Sequence, residues 1–175
     1  MTPTLDQLFA PWKDALGADY RGYRNHVERL LALCGALAAR EGVALDALAL
    51  RVAGVYHDLG IWSDGTFDYL APSAARARAW LEANGRGDLA PLVTALIDQH
   101  HKVRPAGPAH DPVEIFRRAD WIDVTLGALS FGLPRAHYRE LLRQHPDAGF
   151  HPRLVRLSGK QMLTNPLRPL PMFRW

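Results

Sequence analysis

Residues 23–40 read YRNHVERLLALCGALAAR, and this stretch decides the fold class. Its apolar side chains recur at three- and four-residue spacing, which is the period of an α-helix with one buried face. Gly42 follows the stretch and is a residue type that commonly ends a helix. We therefore predict a long amphipathic helix, whose buried face contains Val27, Leu30, Leu31, Cys34, Leu37 and Ala38.

The same periodicity continues along the rest of the chain. Asp46, Pro72, Asp88, Asp111 and Pro134 each precede or open a helical pattern, and these residue types favour helix starts. A last helix is predicted from residue 152 to residue 160. No segment alternates apolar and polar residues as a half-buried strand does. The sequence therefore predicts an all-α protein.

Length and composition predict a single domain with an unusual C-terminal end. The chain has 175 residues, of which 48% are hydrophobic, and its one cysteine excludes an intramolecular disulfide. We predict a helical domain over residues 1–163 and an extended, proline-rich tail over residues 164–175. Disordered tails are poor in large apolar groups. This tail is therefore expected to dock on the domain or on a partner chain through Leu167, Leu170, Met172, Phe173 and Trp175.

The charge pattern and the N-terminus narrow the choice of partners. The N-terminus lacks the basic flank and apolar core of a signal peptide, and no run is long enough for a membrane span. We therefore expect a cytoplasmic protein without a membrane partner. The net charge of +3 is too small to indicate specific nucleic-acid binding. The lysines and arginines after Asp147 have no acidic residues among them. This pattern suits a solvated basic surface or a positive field that attracts an anionic substrate. The basic residues are Arg153, Arg156, Lys160, Arg168 and Arg174.

Four polar residues lie within patterns that otherwise predict burial. His26 is in the first long helix, the pair His57-Asp58 ends the apolar segment that follows Asp46, and Asp120 lies among apolar and aromatic residues. Each of them alone would usually be a structural residue. Together, two imidazoles and two carboxylates on neighbouring helices can form a metal site. Four ligands also leave a coordination position open for water or substrate.

In this order the residues resemble the H…HD…D signature of the HD superfamily of metal-dependent phosphohydrolases, over about residues 20 to 127. The resemblance implies an HD-type helical bundle in which His26, His57, Asp58 and Asp120 bind the metal. It also implies hydrolysis of phosphomonoesters or phosphodiesters, often of nucleotides, by a metal-activated water. The ligand types suit Mn, Fe, Co, Ni or Zn and are compatible with Mg.

Two positions depart from the pattern of this family. Ile61 lies three residues after Asp58, where many members carry a lysine or glutamate that assists catalysis. Members with two ions usually have a further histidine soon after the HD pair, yet none lies between His57 and His100. The pair His100-His101 does resemble the histidines that complete the ligand set of a second ion in such members. We therefore predict one tightly held divalent ion, with a second, weaker ion at His100 or His101 as the alternative.

Several residues around these ligands are candidates for contact with substrate. His100 and His101 would act as general acid or base, because imidazole titrates near neutral pH. Lys102 and Arg104 would bind a phosphate group, with a solvated surface as the alternative. Asp123, one helical turn after Asp120, would contact the substrate or support the metal ligands, with the helix surface as the alternative.

Two other classes of function are alternatives. A diiron oxygenase of the same fold would need a complete set of six ligands, from which one histidine is missing in this sequence. A non-catalytic regulatory module would keep the metal site to sense a ligand, and Ile61 favours it. The expected partner is a small anionic substrate that carries phosphate, and the apolar tail also suits a homo-oligomer.

Overall fold

The computed structural model describes residues 2–167 and 170–173, and its regular elements are helices. Short 3₁₀ turns at Ala10–Trp12, Gly17–Asp19 and Gly87–Leu89 join some of them. The described residues contain no strand, so the all-α prediction is confirmed. The α-helices in chain order are α1 (Leu5–Phe9), α2 (Lys13–Leu16), α3 (Tyr20–Glu41), α4 (Ala47–Tyr56), α5 (Gly60–Ser63), α6 (Leu70–Ala83), α7 (Ala90–Gln99), α8 (Pro112–Val124), α9 (Arg135–Gln144) and α10 (Phe150–Thr164).

Helix α3 is the longest element, and it packs against α4 and α8. Its apolar stripe enters the main hydrophobic core, where Val27, Leu30 and Cys34 are fully buried. The helix ends at Gly42, which has a positive φ of 68° and donates its amide to the carbonyl of Ala38. Glycine adopts this left-handed conformation without the steric cost of a Cβ atom. The predicted helix and its predicted end are therefore confirmed.

Helix α4 leads the chain into the turn that contains His57 and Asp58. The Asp46 side chain accepts a hydrogen bond from the amide of Ala49 at 2.8 Å and so caps the helix. Residues 52–56 are all buried. Because α4 ends at Tyr56 and α5 begins at Gly60, His57 and Asp58 lie in a buried turn between two helices.

The turn after Asp58 has no room for a side chain at Gly60. A Cβ atom there would lie 2.8 Å from the carbonyl oxygen of Tyr69 and 3.1 Å from Ser73 Oγ.

We expect Gly60→Ala to lower the free energy of unfolding by about 1–3 kcal/mol, measured by urea denaturation, because the added methyl group overpacks the turn. Gly35→Ala is the control, because open space surrounds Gly35 within the described chain. It should stabilise helix α3 by about 0.5–1 kcal/mol. Equal stability of Gly60→Ala and the unaltered protein would contradict this packing.

The remaining site residues enter the same region from α7 and α8. Helix α4 packs against α7, and both α3 and α7 pack against α8. His100 and His101 follow the end of α7, whereas Asp120 lies within α8. The side chain of Asp111 caps α8 by accepting from the amide of Val113 at 2.8 Å. The segments that carry the predicted site residues are therefore neighbours in the bundle.

The chain beyond α10 contacts the domain again after an exposed stretch. Leu167 is exposed, whereas Met172 is only 5% exposed and packs in a small apolar cluster with Ile61, Tyr69 and Leu70. Arg168, Pro169, Arg174 and Trp175, on which part of the tail prediction rested, lie outside the described residues. None of the described helices combines the length and the apolar character that a membrane span requires.

Candidate metal centre

Three segments of the chain bring the four predicted ligands to one buried point. The Nε2 atoms of His26 and His57 are 3.1 Å apart. Oδ1 of Asp120 lies 3.5 Å from His26 Nε2 and 3.9 Å from His57 Nε2. Oδ2 of Asp58 lies 3.3 Å from His57 Nε2. All four residues are at most 4% exposed, so the group is almost completely shielded from solvent.

The second ring nitrogen of each histidine has its own hydrogen-bond acceptor. Nδ1 of His57 donates to the carbonyl oxygen of Gly54 at 2.8 Å, and Nδ1 of His100 donates to that of Ile97 at 2.6 Å. His26 Nδ1 lies 2.6 Å from Oδ2 of Asp123. Because these oxygens accept hydrogen bonds, they hold the proton on Nδ1, and Nε2 of the neutral ring keeps its lone pair. The Nε2 atoms are thus available as metal ligands.

Several ligand atoms of the group lack a hydrogen-bond donor. Among the described residues, Asp58 Oδ1, Asp120 Oδ1 and His100 Nε2 are buried without a hydrogen-bond partner. A buried polar atom without a hydrogen-bond partner is costly, and lone pairs that face one another repel. A cation removes both penalties at once. The buried histidine and aspartate side chains are therefore arranged so that they could hold a metal ion.

Asp58 belongs to two possible ligand groups. One consists of His26, His57 and Asp58, and the other of Asp58, His100 and His101; within each, the ligand atoms lie within 4.8 Å of one another. His100 Nε2 is 3.4 Å and His101 Nε2 is 4.0 Å from Asp58 Oδ1. The two histidines predicted to be catalytic therefore lie beside Asp58, and the ring of His100 is also 4.9 Å from that of His57. Their position is compatible with proton transfer or with a second ion.

The electrostatics of the group favour a positive charge at its centre. Burial alone would lower the pKa of His57, but the carboxylates of Asp58 and Asp120 outweigh it and raise that pKa to about 9. Burial would raise the pKa of Asp58, yet His57 and His100 hold it well below its usual range. The positive charge can be a proton on His57 or a metal cation that replaces the proton at the same nitrogen.

Asp123 lies behind His26, in the interior of the bundle. It is fully buried, so its alternative placement on the helix surface is wrong. Its carboxylate accepts from His26 Nδ1 at 2.6 Å, and Arg29 Nε and Nη2 donate to its two oxygens at 2.6 and 2.9 Å. Both oxygens are thus engaged within the protein, which corrects the prediction that Asp123 contacts substrate. A carboxylate in this position orients an imidazole and makes its other nitrogen a better ligand.

The loop after His101 carries the two basic residues predicted to bind phosphate. Arg104 is exposed and Lys102 is partly buried. The loop is attached to α8 because Glu114, which is fully buried, accepts from the amide of Ala106 at 2.8 Å and pairs with Arg117 at 2.7 Å. Lys102 and Arg104 therefore extend from an anchored loop next to His101, and their contact with phosphate stays a prediction.

Three further residues, which the sequence alone did not single out, surround the proposed ligands. The hydroxyl of Tyr23 donates to the carbonyl of Val55 at 3.0 Å and accepts from the amide of Asp58 at 3.2 Å, so it fixes the turn that contains His57 and Asp58. Phe150 stacks on the ring of His26, with centroids 4.2 Å apart. Arg29 holds Asp123. Arg29 had one usable signal, since a charge three residues after His26 lies near the same helix face.

Comparisons with models of protein families, with curated proteins and with solved structures gave no match for this chain.

Proposed function

We propose that this protein is a divalent-metal-dependent phosphohydrolase with an HD-type bundle, in which His26, His57, Asp58 and Asp120 bind the ion. One observation carries the proposal: buried lone-pair atoms without hydrogen-bond donors converge from three segments. Side chains that serve only the fold normally satisfy their polar atoms in the protein. The unsatisfied atoms of this group are better explained by a cation as their common partner.

A bound ion would lower the pKa of a water molecule and offset the negative charge of phosphoryl oxygens. The protein would supply the remaining functions through its own side chains. His26 and His57 would present Nε2 lone pairs, fixed by hydrogen bonds to Asp123 and Gly54. His100 and His101, beside Asp58, would transfer protons to or from the substrate or bind a second, weaker ion.

The proposed substrate is a small phosphorylated molecule. Lys102 directly follows the candidate proton-transfer residue His101, and Arg104 comes two positions later. Lysine and arginine are the usual partners of phosphate oxygens. The ion is proposed to be Mn, Fe, Co, Ni or Zn, because imidazole and carboxylate together suit these metals. Mg is compatible with the carboxylates but less so with two imidazoles.

A non-catalytic regulatory module is the second candidate function, and Ile61 is the observation that favours it. This side chain is buried and packs in the cluster with Tyr69 and Met172. It therefore offers no acid, base or charge three residues after Asp58. The same ligands would then bind a metal whose role is to hold or sense a small molecule.

Turnover assays separate the two functions. We expect protein loaded with at least one of Mn, Fe, Co, Ni or Zn to hydrolyse p-nitrophenyl phosphate, bis-p-nitrophenyl phosphate or a nucleotide. A chelator should abolish this activity, and the same metal should restore it. Asp120→Ala, purified identically, controls for a contaminating phosphatase. Stoichiometric metal without turnover of any substrate would favour the regulatory module, and oxygen consumption by the iron form would favour an oxygenase.

A further inference from the structure

Residues 170–173 lie beside the metal centre, and we call them the C-terminal segment. The Phe173 ring is 5.4 Å from that of His101 and 5.9 Å from that of Trp121, measured between centroids. Trp121 directly follows the proposed ligand Asp120. Met172 packs in the apolar cluster with Ile61 and Tyr69. The segment therefore contacts side chains adjacent to the ligands from both the α7 and the α8 sides.

The exposure of the ligands shows where the centre comes nearest to solvent. The side chains of His26, His57 and Asp120 are 0–2% exposed, and His100 is 0% exposed. The side chain of Asp58 is 5% exposed and that of His101 is 12% exposed. The centre is therefore nearest to solvent on the side of His101, which is the side that Phe173 contacts.

The C-terminal segment is also connected to the proposed ligand Asp58 through a chain of contacts. Tyr69, which packs with Met172, shares a hydrogen bond of 2.6 Å with Nε2 of His101. The same nitrogen lies 4.0 Å from Oδ1 of Asp58. Movement of the segment would thus change both the access to His101 and the surroundings of its hydrogen-bond partner.

We propose that small molecules and metal ions reach the metal centre past His101, that the C-terminal segment forms one wall of this route, and that Phe173 limits the size of the substrate and the rate of metal exchange. The proposal rests on the metal centre described under the proposed function. It also gives Ile61 a role, because Met172 needs an apolar surface on which to pack. A lysine or glutamate at this position would be buried beside Met172 at a high cost in free energy.

Phe173→Ala removes the ring and leaves the proposed ligands unchanged. The zinc-loaded protein is mixed with excess EDTA, and the zinc that remains bound is followed over time. We expect release about tenfold faster than from the unaltered protein, which corresponds to about 1.4 kcal/mol at the barrier. The ratio of kcat/KM for bis-p-nitrophenyl phosphate to that for p-nitrophenyl phosphate should rise about tenfold, since size discrimination by an apolar wall has this magnitude.

Three further variants test whether the effect on zinc release depends on the C-terminal segment. Two of them are controls, and the third is a second test. Phe173→Tyr keeps a ring of similar size, and Leu163→Ala removes an exposed apolar side chain elsewhere on the surface. Both should release zinc at the rate of the unaltered protein. Met172→Ala removes the anchor of the segment and should accelerate release in the same direction as Phe173→Ala. Circular dichroism and the zinc content before mixing check that each variant is folded and loaded.

The outcomes distinguish this proposal from the proposed function. Unchanged zinc release and an unchanged substrate ratio in both Phe173→Ala and Met172→Ala would overturn the role of the segment. Faster release without turnover of any phosphate ester would support the wall and overturn the phosphohydrolase. An unaltered protein that binds no zinc would overturn the metal centre and the wall together.

Discussion

Replacing Asp123 by alanine is expected to destabilise the protein by about 3–5 kcal/mol, because it leaves a charged guanidinium unpaired in the core. Arg29 is fully buried and donates twice to Asp123, while its Nη1 donates to the carbonyl of His145 at 2.7 Å. Burial would raise the pKa of Asp123, yet hydrogen bonds from His26 and Arg29 hold it well below its usual range. Asp123 is therefore ionised at neutral pH, and its removal deletes the compensating charge.

Equilibrium urea denaturation of the metal-free protein measures this loss without a contribution from bound metal. Asp88→Ala is the matched control, because Asp88 also pairs with an arginine, Arg86, but on the exposed surface. Removal of an exposed pair of this kind should cost less than about 1 kcal/mol. If the two variants were equally stable, the Arg29–Asp123 pair would not support the interior of the bundle.

The helices could be predicted from the sequence where local signals were strong and uncontested. The period of α3, the glycine at its end and the caps Asp46 and Asp111 all have local causes. Asp88 was predicted to cap the next helix, but α7 begins at Ala90. Asp88 lies instead in a 3₁₀ turn and pairs with Arg86, a local interaction that competes with capping. Helices α1, α2 and α5 were missed because four or five residues are too few to show a helical period.

The candidate ligands could be singled out for a different reason. His26, His57, Asp58 and Asp120 interrupt apolar helical patterns, and an ionisable group in such a place needs a partner. Their order then suggested which groups would meet. The role of Arg29 could not be obtained this way, because its partner Asp123 is 94 positions away in the chain. Composition likewise predicted that the tail docks, whereas the position of Phe173 beside His101 depends on the packing of α7 and α8.

Replacing His57 by alanine is expected to abolish metal binding, and this is the largest effect on the site that the structure predicts. Nε2 of His57 lies 3.1–3.9 Å from side-chain atoms of His26, Asp58 and Asp120, so this nitrogen is close to each of the other three proposed ligands. Loss of a direct ligand should weaken binding by at least about 100-fold, because removing even a supporting contact costs 10–100-fold. Elemental analysis of protein purified without a histidine tag or added metal should then give only background metal.

The unaltered protein should contain about one ion per chain in the same analysis, as expected for a site of four protein ligands. His110→Ala is the matched control, since His110 is an exposed histidine in the loop before α8 and should leave the metal content unchanged. The helical signal in circular dichroism should persist in His57→Ala, because the apolar faces of α3, α4 and α8 pack without it.

Stoichiometric metal in both His57→Ala and Asp120→Ala would mean that the ion binds elsewhere. The unpaired atoms of Asp58 and Asp120 would then belong to a buried cluster neutralised by a proton on His57, whose raised pKa of about 9 keeps it charged at neutral pH. In that case removal of the imidazole would destabilise the fold, so metal content and unfolding free energy together distinguish a metal centre from a structural ion cluster.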